Sequence, residues 1–209
     1  MEGRIQTIDS RKNRKIKMGL IPGHFATNHS HINYYVDITS IKTSHKMAKA
    51  AANELAATYA GTNVDTIICL EGTEMLGAFL AESLSERGIN SGADISVITP
   101  ELNANNQMIF RDNTQTKIWG KQVLLLISSV STGKTINRAI ECLQYYNGNL
   151  AAIGAIFSAI EVSNGIDVHS IFTVDDIPGY ATYLSGDCPM CKNGQKVDAL
   201  VNSFGYSKI

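Results

Sequence analysis

Residues 123–136 read VLLLISSVSTGKTI, and the loop inside that stretch carries groups that suit a phosphate. Ser131, Thr132 and Thr135 offer hydroxyl donors, and Gly133 lets backbone amides approach closely. Lys134 adds a full positive charge where a helix N-terminus already supplies a partial one. A nucleoside-triphosphatase loop would need a second glycine at position 128, which is Ser128. A plain strand-to-helix turn is the bland alternative, but phosphate binding accounts better for the residue types. Two serines, Ser128 and Ser129, stand just before the loop, where a phosphate-sugar site ordinarily wants acid.

Other groups with chemical potential are sparse. Glu71-Gly72-Thr73-Glu74 follows the apolar run VDTIICL. Asp175 and Asp176 follow another strand-like run and could face the same crevice, although a surface turn before Pro178 is the simpler reading. Cys188-Pro189-Met190-Cys191 is a lone Cys-x-x-Cys. A structural zinc site wants four ligands and no second pair follows, so His169, Asp187 or a subunit partner would have to complete it. A redox motif would open a helix early in a thioredoxin-like unit, not lie near a C-terminus. Free thiols are the first expectation for Cys188 and Cys191, zinc the second, and no other metal site is expected.

These residues need elements to position them. SHKMAKAAANELAATYA at 44–60 has helical spacing, with Ser44 as its cap and Gly61 as its stop. The β-branched run at 64–70 predicts a central strand, 74–88 a second helix ended by Gly88, and 93–99 another strand. Periodicity dissolves between Pro100 and Gly120, the mark of a functional loop or hairpin. VLLLI at 123–127 predicts a strand buried on both faces, and Ile136, Ile140 and Leu143 form one stripe of the next helix. Runs at 150–159 and 168–174 complete the strands. Alternating strands and helices predict an α/β fold with a mostly parallel sheet. Ligands then bind beyond the carboxyl ends of the strands, where the Glu71–Glu74 and Ser128–Lys134 loops fall.

The 209 residues suit one domain with a substantial core. With 18 Lys and Arg against 19 Asp and Glu, the chain lacks the basic field that nucleic-acid backbone binding requires. The basic run Arg11–Lys17 is expected to be a solvated surface or arm. No signal peptide is visible, and the longest apolar run, near 150–160, is too short to cross a bilayer. Four cysteines, two of them inside apolar runs, suit reduced thiols, so a cytoplasmic protein without membrane association is expected.

VLLLISSVSTGKTI resembles the phosphoribosyl-pyrophosphate loop of the type I phosphoribosyltransferases, in which two acids precede the phosphate-binding turn. Gly23, His24, Phe25, Tyr35 and Asp37 in GHFATNHSHINYYVD are similar to the N-terminal pattern of orotate phosphoribosyltransferases. Glu71-Gly72-Thr73-Glu74 stands where that family has its pyrophosphate loop, and FRDN at 110–113 resembles the leading edge of its flexible catalytic loop. The resemblance spans residue 20 to about 185. It implies a parallel sheet flanked by helices with an N-terminal hood over 1–43, a core over 44–185 and a Cys-x-x-Cys tail over 186–209. Val130, Ser131, Thr132, Gly133, Lys134 and Thr135 would hold a 5′-phosphate, and Ser128 and Ser129 the ribose. Phe25, Tyr35 and Arg111 would border the base. The implied reaction moves phosphoribosyl from phosphoribosyl pyrophosphate to a pyrimidine-type base with Mg2+, in a homodimer.

Three departures oppose that reaction. Serines replace the acidic pair that would face the developing sugar cation. The 100–120 segment has no His, and its only cations are Arg111 and Lys117. Glu71 and Glu74 would repel a pyrophosphate, unless Glu74 merely opens its helix and Glu71 points to solvent. A catalytically silent relative that binds or senses a nucleotide or phosphoribosyl pyrophosphate is therefore the alternative expectation.

Overall fold

The computed structural model describes residues 2–104 and 107–209. Three N-terminal strands, β1 (Gln6–Asp9), β2 (Lys17–Ala26) and β3 (His31–Asp37), form an antiparallel meander. Helices α1 (Thr39–Thr43) and α2 (His45–Thr58) lead to β4 (Thr66–Cys69), α3 (Glu74–Ser85) and β5 (Ser96–Ile98). The stretch 100–120, apart from positions 105 and 106, which lie outside the described residues, holds the hairpin β6 (Glu101–Leu102) and β7 (Met108–Ile109) and the short helix α4 (Asp112–Gln115). Then follow β8 (Gln122–Val130), α5 (Lys134–Tyr145), β9 (Asn149–Ser158), β10 (Val162–Ser163) and β11 (Ile166–Thr173).

The central sheet has the order β10-β11-β9-β8-β4-β5, and all its neighbours are parallel except the β10–β11 hairpin. Alternation along β8 explains why VLLLI is apolar throughout. Leu124 and Leu126 pack with α2 and α3 on one face, while Val123, Leu125 and Ile127 pack with Ile136, Ile140 and Leu143 of α5 on the other. Ala48, Ala51, Ala52, Leu55 and Ala56 are the buried positions of α2, and the four alanines are small enough for close packing. The Tyr59 hydroxyl beyond its end donates to Ile153 O at 2.8 Å.

Several boundaries differ from the sequence expectation. Ser44 occupies the cap position of α2 without a side-chain cap bond, and the helix stops at Thr58 rather than running to Gly61. α3 stops at Ser85, and Gly88 takes φ +77 beyond it, where a Cβ would collide with Ala60 O. β8 extends three residues past the apolar run, through Ser128 and Ser129 to Val130. The tail does not stand apart from the hood. β12 (Thr182–Tyr183) pairs with β3, and β13 (Ala199–Asn202) runs parallel to β2 and turns into β14 (Gly205–Lys208). The order β12-β3-β2-β13-β14 makes hood and tail one sheet, around Ile21, Phe25, Ile32, Tyr35, Ala199 and Val201.

Candidate functional site

A cavity of about 620 Å³ opens at the carboxyl ends of β4, β8 and β9, under the hood sheet. Its volume is in the range of small-molecule sites. One wall is the loop Ser129–Thr135, joined by Arg138 of α5. Gly133 caps α5 with φ +75, a conformation that favours glycine, and among the described residues no side chain caps this helix. The first-turn N–H groups are therefore left for an anion, with Lys134 as the first helical residue. Glu71, Gly72 and Glu74 form the facing wall.

The two serines part company. Successive residues of a strand point to opposite faces, and β8 includes both. Ser129 lines the cavity, whereas Ser128 is fully buried and donates its hydroxyl to Glu71 Oε2 at 2.7 Å. Ser128 therefore does not face a ribose directly; it holds an acid that does border the cavity. Burial pushes the Glu71 carboxyl upward, and the Ser128 hydroxyl, the Ser129 backbone N–H, the Lys42 ammonium and the Thr135 hydroxyl pull it back. Glu71 points neither to solvent nor simply at a pyrophosphate. Its backbone is left-handed, φ 61, followed by Gly72 at φ 80, and such a non-glycine conformation persists only where neighbours enforce it. Thr73 does so from beneath: it is fully buried, away from the cavity, and its hydroxyl donates to Leu70 O at 3.0 Å and Leu126 O at 3.1 Å.

The rest of the lining mixes aromatic, aliphatic and polar residues. Tyr35 and Val36 come from β3, Phe157 from β9, Tyr180 from the turn before β12, and Asn202, Ser203 and Phe204 from the β13–β14 turn. Lys42 ties three of these parts together: its ammonium donates to Glu71 O at 3.1 Å and to Ser203 O, and lies 5.7 Å from the Phe204 ring centre. Burial lowers its pKa, against the pull of Glu71, Glu74 and Asp37.

Other candidates fall elsewhere. Phe25 is fully buried inside the hood, its ring 6.0 Å from that of Tyr35, and does not line the cavity. Arg111 lies outside the lining, paired with Glu101 at 2.6 Å, which holds its guanidinium against β6. Glu74 is exposed in the first turn of α3 and accepts from the Thr99 hydroxyl at 3.3 Å. Asp176 accepts from the Thr173 backbone and pairs with Arg11 at 2.6 Å, while Arg11 also donates to Asp175 O. The Asp175–Asp176 turn is thus a capped anchor for the basic N-terminal run, not a second acid in the crevice. His169 packs on the Tyr59 ring and Asp187 pairs with Lys192, and neither belongs to the group of ligand atoms around Cys188 and Cys191. Those thiols instead meet His24 and His31 of the hood.

Comparison with known proteins gives this geometry a lineage. No protein-family model matches the chain. The orotate phosphoribosyltransferase of Chlorobium phaeobacteroides is 23% identical over 186 residues, covering 86% of this chain and 88% of that protein. The structure of Leishmania donovani UMP synthase superposes with a TM-score of 0.57 at 16% identity, over 84% of this chain; the chain spans only 36% of that longer protein. Mycobacterium tuberculosis orotate phosphoribosyltransferase, crystallised in complex with Fe(III) dicitrate, gives a TM-score of 0.53 at 13% identity over 84% of this chain and 93% of that one. The parallel sheet, the hood and the loop at the end of β8 are thus explained together: the chain has the type I phosphoribosyltransferase fold, and orotate phosphoribosyltransferases are its sequence relatives.

Proposed function

We propose that this chain transfers the phosphoribosyl group of phosphoribosyl pyrophosphate to a pyrimidine-type base and releases pyrophosphate. The observation that carries the reading is Glu71, a carboxylate held at the cavity edge by Ser128, next to Ser129 and the phosphate loop. Loss of the acidic pair from β8 is then a relocation of negative charge to the end of β4. A sugar losing pyrophosphate develops positive charge, and a fixed carboxylate stabilises that charge where a neutral serine does not. Ser131–Thr135 hold the 5′-phosphate, and the exposed Phe204 and half-buried Tyr180 are the lining aromatics with surface free for a flat base, since Tyr35 and Phe157 are only 6% and 2% exposed.

Magnesium fits the same residues. Mg2+ binds through one or two carboxylates plus substrate oxygens, and Glu71 and Glu74 both line the cavity. When bound with the substrate it would neutralise charge on the departing pyrophosphate. Among the described residues no helix is long and apolar enough to cross a membrane. A cytoplasmic homodimer working on small molecules completes the proposal.

The test is pyrophosphate release from phosphoribosyl pyrophosphate and magnesium, with orotate, uracil and common purines as acceptors. Base-dependent release that falls in Glu71→Gln supports the transferase. Binding without release from any base, abolished in Thr132→Ala/Lys134→Ala, identifies the silent binding protein instead. That second reading draws on Arg111, which is ion-paired to Glu101 and lies outside the cavity lining.

A further inference from the structure

We propose that His24, His31, Cys188 and Cys191 form a structural zinc site that fastens the tail to the hood. Among the described residues, one ligand atom from each lies within 4.8 Å of all the others. His24 Nε2 is 2.9 Å from His31 Nδ1, 3.5 Å from Cys188 Sγ and 3.6 Å from Cys191 Sγ. Cys191 Sγ is 3.3 Å from His31 Nδ1. Tetrahedral zinc, with its usual bond lengths, separates two nitrogens by about 3.3 Å and nitrogen from sulfur by about 3.6 Å. The four separations just given each lie within a few tenths of an ångström of these values, and the remaining pairs lie within 4.8 Å.

The surroundings fix the donors as a zinc site requires. His24 is fully buried, and its Nδ1 lies 2.9 Å from Gln195 O. A carbonyl only accepts, so Nδ1 carries the proton and Nε2 turns its lone pair toward the cluster. A metal-bound histidine is ordinarily oriented in this way by a carbonyl on its other nitrogen. Three groups converge on that one lone pair, yet only one of them can donate to it; a cation among them satisfies all four. Two thiolates and two neutral imidazoles balance the charge of Zn2+, with two thiol protons released on binding. This neutrality suits a buried position.

The fold builds the site from both ends of the chain. The β2–β3 register shifts between Pro22 and Phe25, and His24 lies in that irregularity, the kind of feature that re-aims a side chain. The His24 backbone N–H donates to Asp198 Oδ2 at 2.9 Å, and Asp198 N–H returns a bond to His24 O at 2.7 Å. Cys188 caps the short helix α6 (Pro189–Lys192), which sets Cys191 one turn on.

The test uses the full chain, purified under reducing conditions. About one zinc per chain is expected by elemental analysis, with the metal lost in Cys188→Ser and Cys191→Ser. Cobalt(II) in place of zinc is expected to give a thiolate charge-transfer band and the visible spectrum of a tetrahedral ion. Exposed Cys191 should resist alkylation until a chelator is added, and chelation should lower the melting temperature until zinc is restored. Absence of stoichiometric metal both as purified and after incubation with zinc overturns the proposal. So does zinc that remains in Cys191→Ser, or bound cobalt without a thiolate band. None of these readouts depends on transferase activity.

Discussion

Ser128 and Ser129 are adjacent and chemically identical, yet alternation along β8 predicts opposite responses to the same substitution. Ser128→Ala removes a 2.7 Å hydroxyl bond to the buried side of the Glu71 carboxylate. A hydrogen bond to a charged group contributes about 1.5–3 kcal/mol, a neutral one about 0.5–1.5 kcal/mol. In a Glu71→Gln background the same serine deletion should therefore cost about 1 kcal/mol less. That difference is the coupling energy a double-mutant cycle measures. Ser129→Ala, on the cavity side, should leave stability within about 0.5 kcal/mol but weaken nucleotide binding. Urea unfolding of the four cycle members and of Ser129→Ala, in one buffer with zinc present, gives each number. Ser128→Asp adds a sharper contrast: it sets a second carboxylate against Glu71 in a buried position and should destabilise more than Ser128→Ala, whereas Ser129→Asp should be tolerated. Coupling within about 0.3 kcal/mol of zero, or a larger stability loss from Ser129→Ala than from Ser128→Ala, refutes the assignment of Glu71 as the relocated acid.

The same carboxylate carries a pH signature. Burial holds the Glu71 pKa above its ordinary 4.5, so just above that value the folded chain retains a proton that the unfolded chain has released. Its contribution to stability is present at low pH and is lost as pH rises through the folded pKa. Melting temperature followed from acid to neutral pH should fall more steeply in the wild type than in Glu71→Gln; parallel profiles would contradict the burial of the group. Gly133→Ala tests the phosphate loop. Its φ of +75 disfavours a side chain, and a Cβ would sit 3.0 Å from Ile160 Cδ1. Strain of about 1–2 kcal/mol and roughly tenfold weaker binding of a nucleoside monophosphate are expected by calorimetry, and unchanged affinity would move the phosphate elsewhere.

Much of the scaffold was legible because local pattern and burial coincide. VLLLI reads as a strand apolar on both faces, and α2 and α5 really do cover its two faces. The Ile136, Ile140 and Leu143 stripe reads as helix and is buried as one. Legibility failed where a polar group takes its partner from another strand. Ser128 reads as loop because its hydroxyl looks like an unsatisfied polar group inside a sheet, and Glu71, 57 residues away, satisfies it. A left-handed φ at a glutamate has no compositional signal, so Glu71 looked like surface or like repulsion. His24 and Cys188 are 164 residues apart, and His31 and Cys191 are 160 apart. Ligand spacing within either segment records only half of such a cluster. Phe25, which the resemblance sets beside the base, is hood core, since burying its ring is worth more than exposing it to a cavity.

The tail gives the two sites a common mechanical element. From Cys191 the chain passes Gln195, whose carbonyl orients His24, and Asp198, which bonds the His24 backbone, before entering β13 beside β2. The turn after β13 then places Ser203 and Phe204 on the cavity, and Lys42 bonds Ser203 O and Glu71 O together. The links in that path are chain continuity, hydrogen bonds and strand pairings. The His24–Cys191 cluster therefore bears on Glu71 through the placement of one short strand. β13 has only four residues, with two of them buried, and so short a strand adds little stability of its own. Anchoring at both ends, by the His24–Cys191 cluster before it and by Lys42 after it, compensates for what its length does not supply. The residues that look like an unrelated Cys-x-x-Cys tail in the sequence are, on this argument, part of what keeps Glu71 and the phosphate loop at a fixed separation.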